Sequence, residues 1–527
     1  MDYLSLIILL LAVVTALAQV TDRIKVPYVV MLVLAGIIIG LIPGLPSVTL
    51  NPDIVFLVFL PPVLYAAAWG TSWPDFKKSI RPISLLAVGA VLFTTILVAC
   101  AAHYFIPNFG WPEAFVLGAI VSPPDAVAAT TATKGLKLPK RILTILEGES
   151  LVNDATGLIA YRYAIAATAS GSFIFWLAGI NFFYVAGLGI LIGLAIGFVF
   201  LWIHKITPNN ATTDTTFTLL TPYTAYLLAE EFHASGVLAV VAAGLFLSPR
   251  ASEVFSNRTR LQANAVWDTM IFILNGIIFI LIGLQLPMIL KNIGGHSIGS
   301  LIFYGSLISV VTVVARIIWV FPGAFIPRWL SKQIRESEPE TTVKGVSIVA
   351  WSGMRGIVSL AAALALPIMI DQKHAFPHRD MIIFLTFCVI FVTLVLQGMT
   401  LRKLIRWLGV RAGNESVLEE EKTRLQVAAS IIEHIEENYS LGLSDAVLSQ
   451  IKTKYEIRIQ RMRKDQSKQA MTQEQIDEYH NIQQKLLVRE RDFILRLRKE
   501  EKASDEVIRK MEFELDLEEA RLELENG

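Results

Sequence analysis

The sequence is short of charged residues and of cysteine. Asp, Glu, Lys and Arg make up 17% of the 527 residues, whereas soluble domains usually contain about 25%. The net charge of +1 gives no global basic field that would point to nucleic acid. The only two cysteines, Cys100 and Cys388, both lie in apolar runs, which argues against a disulfide framework. No phosphate-binding loop, catalytic triad motif or metal-protease motif is present, so the sequence indicates neither an enzyme nor a cofactor.

What the sequence does contain is a series of long apolar runs. A membrane-spanning helix needs about 20 mainly apolar residues. We predict about thirteen such helices, at 3–20, 25–42, 53–69, 83–105, 113–133, 142–169, 175–204, 215–231, 234–248, 265–289, 298–326, 344–370 and 379–408. Beyond these runs the chain becomes polar and rich in Glu, Lys, Arg, Gln and Leu, which favours helix. The predicted organisation is an all-α polytopic transmembrane domain at 1–410 and a cytosolic helical tail at 411–527.

The loops carry an uneven distribution of Lys and Arg. Loops after odd-numbered predicted helices hold about 17 of them, and loops after even-numbered helices hold about 3. Basic loops stay on the cytoplasmic side. The bias therefore predicts an N-terminus outside the cell membrane, a cytoplasmic tail and an odd number of spanning helices. The start of the chain lacks the basic segment of a signal peptide, so we interpret it as a retained first helix.

An acidic residue, Asp125, lies within the fifth apolar run, in AIVSPPDAVAATTATKG. Pro123 and Pro124 remove two backbone donors and disfavour a continuous helix. A break in a spanning helix exposes carbonyl and amide groups that can line a site only where protein or water covers them. An acid at such a break suits a cation site. The alternative interpretation is a helix cap at a loop boundary.

The sixth run contains a second polar group, in LEGESLVNDATG. Ser150, Asn153 and Asp154 have the i, i+3, i+4 spacing of one helix face, and oxygen ligands of this kind suit hard cations. For Glu147 and Glu149, two interpretations stay open: membership of the site, or a solvated helix start. Ionisable groups inside apolar runs are costly, so a functional role is the default hypothesis for Asp154.

Two arginines also lie in apolar runs. Arg316, in ISVVTVVARIIWVFPG, must find a carboxylate or carbonyl partner, and we expect a structural ion pair in the transport core. Arg355, in WSGMRGIVSL, is flanked by Gly353 and Gly356, which weaken helix and predict a second break. A cationic side chain there would offset the negative end of a half-helix. Glycine packing beside a surface-reaching arginine is the alternative.

The two interrupted runs are the fifth and the twelfth. They occupy equivalent positions when predicted helices 1–6 are paired with 8–13. Corresponding broken helices in two halves indicate a transporter with inverted repeats and a site at mid-membrane. The predicted fold is therefore two inverted six-helix repeats with discontinuous helices.

Together these motifs resemble a known family. SPPDAVAAT, EGESLVNDATG, the arginine of VVARIIWVFP, and WSGMRGIVSL are similar to the sodium/proton exchangers of the monovalent cation:proton antiporter superfamily. FLPPVLYAAAWGTSW and FILIGLQLP resemble its bacterial members. The resemblance covers about residues 1–410 and rests on the co-occurrence of the motifs in this order.

The resemblance implies roles for several residues. Asp154 would bind the cation and exchange the proton, with Asn153 before it and Asp125 as a second acid. Ser150 and Glu149 would lie in or beside the coordination shell. The remaining implied roles are core stabilisation by Arg316 and Arg355, and a homodimer in which a core domain moves against a dimerisation domain.

Two departures from the family pattern stand out. Many relatives have Thr-Asp-Pro where this chain has Pro124-Asp125-Ala126, so a hydroxyl ligand is lost and the carbonyl of Pro124 would take its place. Many relatives also have an acid in the third helix, where this chain has Ala66. Arg316 would then lack the family's ion-pair partner.

The predicted function is antiport of Na⁺, with Li⁺ or K⁺ as alternatives, against H⁺. The partners are thus a monovalent cation, H⁺ and the lipid bilayer. Competition of the two ions for one shielded carboxylate, combined with alternating access to the two sides of the membrane, is sufficient to couple the two fluxes. Because Asn153 cannot titrate, one proton per cation is the simplest stoichiometry, which makes exchange electroneutral. A K⁺/H⁺ antiporter is the nearest alternative. A cation channel lined by the same acids, and a sensor that has lost transport, are further ones.

Overall fold

The computed structural model describes most of the chain up to Val410 and short parts of the remainder. The described residues are 3–24, 26–42, 52–133, 136, 138–170, 175–207, 210–293, 297–338, 341–370, 375–410, 430, 433, 481–492, 514–515 and 517–522. The chain divides into two compact units, Met1–Ala412 and Gly413–Gly527. In the second unit, residues 481–492 and 517–522 are helical. The assignment of that unit to the cytosol stays a prediction.

Helices dominate the first unit, and among the described residues no strand occurs beyond one isolated bridge between Met369 and Ala375. The principal helices are α1 (Tyr3–Ile24), α2 (Tyr28–Gly40), α3 (Pro52–Gly70), α4 (Ile80–Phe105), α5 (Trp111–Val121), α6 (Ala126–Thr133), α7 (Lys140–Ser170), α8 (Phe175–Ile206), α9 (Ala211–Glu231), α10 (Gly236–Leu247), α11 (Asn257–Leu284), α12 (Ile298–Leu330), α13 (Val343–Trp351), α14 (Ile357–Leu364) and α15 (Arg379–Leu408). Shorter helices lie in the connections, among them Trp73–Lys78, Leu286–Asn292 and Lys332–Ser337. The all-α fold class is confirmed.

Six stretches in the described part of the chain are long and apolar enough to cross a membrane: Pro52–Gly70, Ile80–Phe105, Gly179–Ile206, Arg258–Lys291, Ile298–Leu330 and Arg379–Leu408. Four shorter apolar helices accompany them. The apolar helices imply a multi-pass membrane protein. The count of thirteen spans stays a prediction.

The two predicted helix breaks are confirmed. The fifth run forms α5 and α6, separated by Ser122–Asp125, and the twelfth forms α13 and α14, separated by Ser352–Gly356. Each break follows from local backbone chemistry, since Pro123 and Pro124 lack donors and glycine weakens helix. Helices α9 and α10 are also separate. The Ser235 hydroxyl caps α10 by accepting the Leu238 amide N–H at 3.3 Å.

Helices α2 and α11 pack with their backbones in contact. A Cβ atom at Gly36 would overlap the carbonyl oxygen of Ile280, and one at Gly283 would overlap that of Val33. Two glycines are therefore required for the close approach of these helices. The contact fixes α11, which supplies one wall of the site described next.

Candidate functional site

The two helix breaks cross and are joined by hydrogen bonds. The Asp125 amide N–H donates to the carbonyl oxygen of Met354 at 2.7 Å. The Arg355 guanidinium donates in the other direction, from Nε to the Val121 carbonyl at 3.0 Å and from Nη2 to the Ser122 carbonyl at 3.4 Å. Carbonyls at a helix C-terminus lack intrahelical donors and carry partial negative charge. Arg355 therefore stabilises the C-terminal end of α5.

Arg355 also binds its own break and a third helix. Its Nη1 donates to the Gly353 carbonyl, and its backbone N–H donates to the Thr393 hydroxyl at 3.1 Å. Thr393 begins a π-helical stretch of α15, Thr393–Gln397, and such stretches often mark functional sites. The Arg355 side chain is 1% exposed. Its partners are carbonyl groups, as expected for a cation at a half-helix end.

A cavity of about 300 Å³ lies against the crossing. Its polar wall contains Asp125, Glu147, Ser150 and Asp154, together with two residues that the sequence did not single out, Thr130 and Asn275. Its apolar wall comes mainly from α3, including Phe59, Leu60 and Leu64. The two carboxylates of Asp125 and Asp154 therefore share one compartment with oxygen ligands on two other helices.

The Asp125 side chain is positioned by local contacts. Its Oδ1 accepts the Val127 amide N–H at 2.8 Å, which caps the start of α6. Its Oδ2 lies against Gly356, where an added Cβ atom would overlap it. The second break thus approaches Asp125 closely, and Gly356 leaves the room for it.

Helix α7 presents two different faces. Glu147, Ser150 and Asp154 lie at i, i+3 and i+7 and line the cavity. Asn153 does not line it: its Nδ2 donates to the Pro124 carbonyl at 2.7 Å, and its side chain is fully buried. The structure thus places Asn153 and Pro124 behind the cavity wall, bonded to each other. The three residues predicted on one face therefore lie on two: Ser150 and Asp154 face the cavity, and Asn153 does not.

Glu149 occupies the same inner face of α7 as Asn153. Its carboxylate accepts two hydrogen bonds from Arg316, Nη1 to Oε1 at 2.5 Å and Nη2 to Oε2 at 2.8 Å. Arg316 Nη2 also donates to the Val349 carbonyl at 3.2 Å. Both side chains are 2% exposed, so Glu149 is not a solvated helix start. Arg316 has the structural ion pair that the sequence required, with a partner that the sequence could not name.

Arg162, nearer the C-terminus of α7, forms an ion pair away from the cavity. Its Nη2 lies 2.7 Å from Glu230 Oε2. No group of three or more His, Cys, Asp or Glu side chains that could hold a resident metal ion occurs in the described residues. The cavity thus holds three carboxylates, Asp125, Glu147 and Asp154, with hydroxyl and amide neighbours, and oxygen groups of this kind suit a hard cation.

A cavity lined by acids where two discontinuous helices meet is the arrangement of secondary transporters. The model of the sodium/hydrogen exchanger transmembrane family matches residues 8–407. The chain belongs to this family, a family of transporters, and the resemblance seen in the sequence motifs is confirmed.

Several bacterial proteins are similar to this chain. An uncharacterised Na⁺/H⁺ exchanger of Mycobacterium bovis is 31% identical over 98% of this chain and 96% of its own length. A Na⁺/H⁺ antiporter of Aphanothece halophytica is 31% identical over 75% of this chain and 73% of its own. A sodium, potassium, lithium and rubidium/H⁺ antiporter of Bacillus pumilus is 32% identical over 75% of this chain and 60% of its own.

The fold is also similar to that of a solved structure. The sodium proton antiporter MjNhaP1 from Methanocaldococcus jannaschii superimposes with a TM-score of 0.62 at 20% identity, covering 77% of this chain and 98% of that one. At this identity the likeness concerns the fold alone.

Proposed function

We propose that the chain exchanges Na⁺ for H⁺ by competition of the two ions for Asp154. The observation that carries the proposal is the placement of Asp154 and Asp125 on one cavity wall at the crossing of the broken helices. Asp154 is 8% exposed, and this exposure is sufficient for access from the cavity but not for bulk solvation. A carboxylate there holds either a proton or a cation. Alternating exposure of the cavity to the two sides then couples the fluxes.

The neighbours of Asp154 support the roles assigned to them. Ser150 and Asp125 line the same cavity and offer oxygen ligands to the cation, while Asn153 holds the Pro124 carbonyl and so positions the chain before Asp125. We assign Glu149 to the ion pair with Arg316 rather than to the cation. Asn153 carries no titratable proton, so we propose one proton per cation and electroneutral exchange.

The basic residues at the helix ends support the proposed orientation. Arg81 at the start of α4, Arg141 at the start of α7 and Arg328 near the end of α12 interact with the same carboxylate, Glu338. These three helix ends therefore lie on one side of the membrane. We propose that this side is the cytoplasmic side of the cell membrane, with the N-terminus outside. The homodimer expected from the resemblance stays a prediction.

Inside-out membrane vesicles test the proposal. A respiration-driven proton gradient is established, and collapse of the gradient is followed after addition of Na⁺, Li⁺ or K⁺. We expect Na⁺ to collapse the gradient with the wild-type chain and to have no effect with Asp154→Asn. The control is Asp214→Asn, which should retain exchange: it removes a carboxylate that is also buried, 2% exposed against 8% for Asp154, but that lies outside the cavity and accepts from His204 at 3.1 Å. Full exchange by Asp154→Asn would contradict the site assignment.

A K⁺/H⁺ antiporter is the second candidate. The Bacillus pumilus relative is named for sodium, potassium, lithium and rubidium, and its match covers 75% of this chain. The same vesicle measurement ranks the cations. If K⁺ and Na⁺ collapse the proton gradient equally, and both effects are lost in Asp154→Asn, the specificity is broader than Na⁺ and the assignment of Asp154 to the ion site still holds.

A further inference from the structure

Glu147 is a cavity-lining carboxylate to which the proposed exchange assigns no role. Two acids of α7 line the cavity, Glu147 and Asp154, and neither forms a hydrogen bond or an ion pair with another described residue. Glu149, on the other face of α7, is by contrast held by Arg316. An ionisable group in a membrane-spanning helix is costly without a partner, and it marks an ion pathway by default. Glu147, half-buried and unpaired among the described residues, therefore indicates a function in the passage of ions.

Glu147 lies midway between Asp154 and the start of α7. It is seven residues before Asp154 and seven after the first residue of the helix. With a rise of about 1.5 Å per residue, each separation is about 10 Å along the helix axis. Asp125 lies near the depth of Asp154, because the residues before these two acids are bonded: Asn153 Nδ2 donates to the Pro124 carbonyl at 2.7 Å. Glu147 is therefore about two helical turns nearer the start of α7 than the two acids are.

The cavity extends from the two acids towards the start of α7. On α3 its lining runs from Phe59 to Gly70, the last residue of that helix. The end of α3 lies beside the start of α7, since Asp75, in the short helix after α3, pairs with Lys140 at 2.6 Å. A Cβ atom added at Gly70 would meet no atom within 4 Å, so there is open space at this end of the cavity.

The opposite end of the cavity is closed. Asp154 is the last residue of α7 in the lining. The next residue, Ala155, is 1% exposed and packs in a buried cluster with Val237 and Leu238 of α10. In this structure a cation therefore enters the cavity from the side on which α7 begins, and it reaches Glu147 before Asp154.

The charges of the lining favour this path. The lining contains three carboxylates and, among the described residues, no Lys, Arg or His. A cleft lined by one sign of charge between low-dielectric walls raises the local concentration of counter-ions and their rate of entry, by about ten- to a thousandfold. Of the three carboxylates, Glu147 is the nearest to the open end, so its charge acts on the entering cation first.

We propose that Glu147 captures the cation at the mouth of the cavity and so sets the affinity for cations on the side of the membrane where α7 begins. This role deepens the exchange proposed at Asp154 and rests on it. Glu147 attracts the cation through its charge, and Asp154 remains the carboxylate that holds either the cation or the proton. Loss of the Glu147 charge should therefore raise the KM for Na⁺ and leave the maximal rate intact.

Inside-out vesicles measure this KM from the collapse of a proton gradient at graded Na⁺ concentrations. We expect Glu147→Gln to raise the KM about tenfold, and Glu147→Asp, which keeps the charge, to stay near the wild-type value. Choline chloride should raise the wild-type KM towards that of Glu147→Gln, because salt screens the attraction. The matched control is Asp75→Asn. It removes a carboxylate at the same end of the molecule but outside the cavity lining, and it should leave the KM unchanged.

Restoring the charge chemically also identifies the side of entry. Glu147→Cys is prepared with Cys100 and Cys388 replaced by alanine, and it is treated with membrane-impermeant methanethiosulfonates. The anionic ethylsulfonate reagent should return the KM towards the value of the cysteine-free parent, and the cationic trimethylammonium reagent should raise it further. Both effects should follow treatment of inside-out vesicles and not treatment of intact cells. This variant keeps the test available if Glu147→Gln does not fold.

Four results would overturn the inference. An unaltered KM in Glu147→Gln would show that its charge does not act on the cation, and an equal rise in Asp75→Asn would show attraction by the whole surface. A fall in maximal rate with an unaltered KM would place Glu147 in a later step. Restoration only in intact cells would place the mouth at the outer face. Failure of the proposed exchange site is a separate outcome, because Asp154→Asn would then retain exchange whatever the KM of Glu147→Gln.

Discussion

Arg316 on α12 holds Glu149 on α7 through two parallel hydrogen bonds of 2.5 and 2.8 Å, with both side chains buried. The pair joins residues that are 167 positions apart in the chain. It lies on the face of α7 opposite to the cavity-lining acids, so it fixes the rotation of the helix that carries Asp154.

Replacing one partner of this ion pair should destabilise the protein more than replacing both. Glu149→Gln leaves the Arg316 charge buried, and loss of one partner of a buried pair costs about 3–5 kcal/mol. We expect Glu149→Gln and Arg316→Gln each to lower the unfolding temperature strongly, and the double variant to lose much less than the sum. A double-mutant cycle on the purified protein, followed by thermal unfolding, measures this coupling. Strictly additive losses would show that the two side chains act independently.

Gly356 should be intolerant of a methyl group, because a Cβ atom would overlap Asp125 Oδ2. Gly356→Ala removes no polar group but must displace the Asp125 carboxylate. A displacement of about 1 Å at a reacting group can cost on the order of a hundredfold in rate. We expect vesicle exchange to fall at least tenfold while the protein remains folded. Gly187→Ala is the control, since no atom lies within 4 Å of its added Cβ, and it should retain exchange.

Substitution of Asn275 should change the affinity for the cation rather than the maximal rate of exchange. Its side chain lines the same cavity as Asp154, so we expect its amide oxygen to contribute to the binding of a cation there. Loss of one such interaction is worth about 1 kcal/mol, or about a fivefold rise in KM for Na⁺ in Asn275→Ala. Asn264→Ala, on an exposed position of the same helix, should leave the KM unchanged. A fall in maximal rate with an unaltered KM would instead indicate a role in the conformational change that exposes the cavity to the two sides.

The Glu338 cluster should make stability acid-sensitive. The hydrogen bond from Arg81, together with the charges of Arg81, Arg141 and Arg328, holds the pKa of Glu338 below its ordinary value of 4.5, although partial burial opposes this. A depressed folded-state pKa stabilises the protein above the unfolded-state pKa, and this stabilisation is lost as the pH falls through the folded-state pKa.

Unfolding temperatures of the wild type and of Glu338→Gln, measured from pH 8 downwards, test this relation. The wild type should be the more stable by a constant margin above about pH 5, and the margin should shrink below pH 4.5. A margin that stays constant through the acid range would show that Glu338 does not contribute through its charge.

The sequence predicted those features that depend on neighbouring residues. Both helix breaks follow from local chemistry, from Pro123-Pro124 in one case and from Gly353 and Gly356 in the other. Asp125 and Asp154 stood out because ionisable groups are rare in apolar runs. The motifs in their order were sufficient to indicate the family, which the family comparison confirmed.

Features that depend on the meeting of distant segments were beyond the sequence. The spacing of Ser150, Asn153 and Asp154 allowed one common face, and only the position of Pro124 shows that Asn153 turns away from the cavity. Glu149 had two open interpretations until Arg316 was found beside it. Asn275 carries a weak signal, a single amide in the run FILNGIIFILIG, that a search restricted to charged residues does not detect.

The bonds between the two breaks have a mechanical consequence. Because Arg355 holds the end of α5 and Met354 accepts from Asp125, the two interrupted helices cannot slide past each other without losing several buried hydrogen bonds at once. We therefore expect the two breaks to move together as one rigid unit. If the proposed exchange proceeds by alternating exposure of the cavity, we expect the movement at the boundary with α3, where the apolar side chains of Phe59, Leu60 and Leu64 form no hydrogen bonds that would have to break.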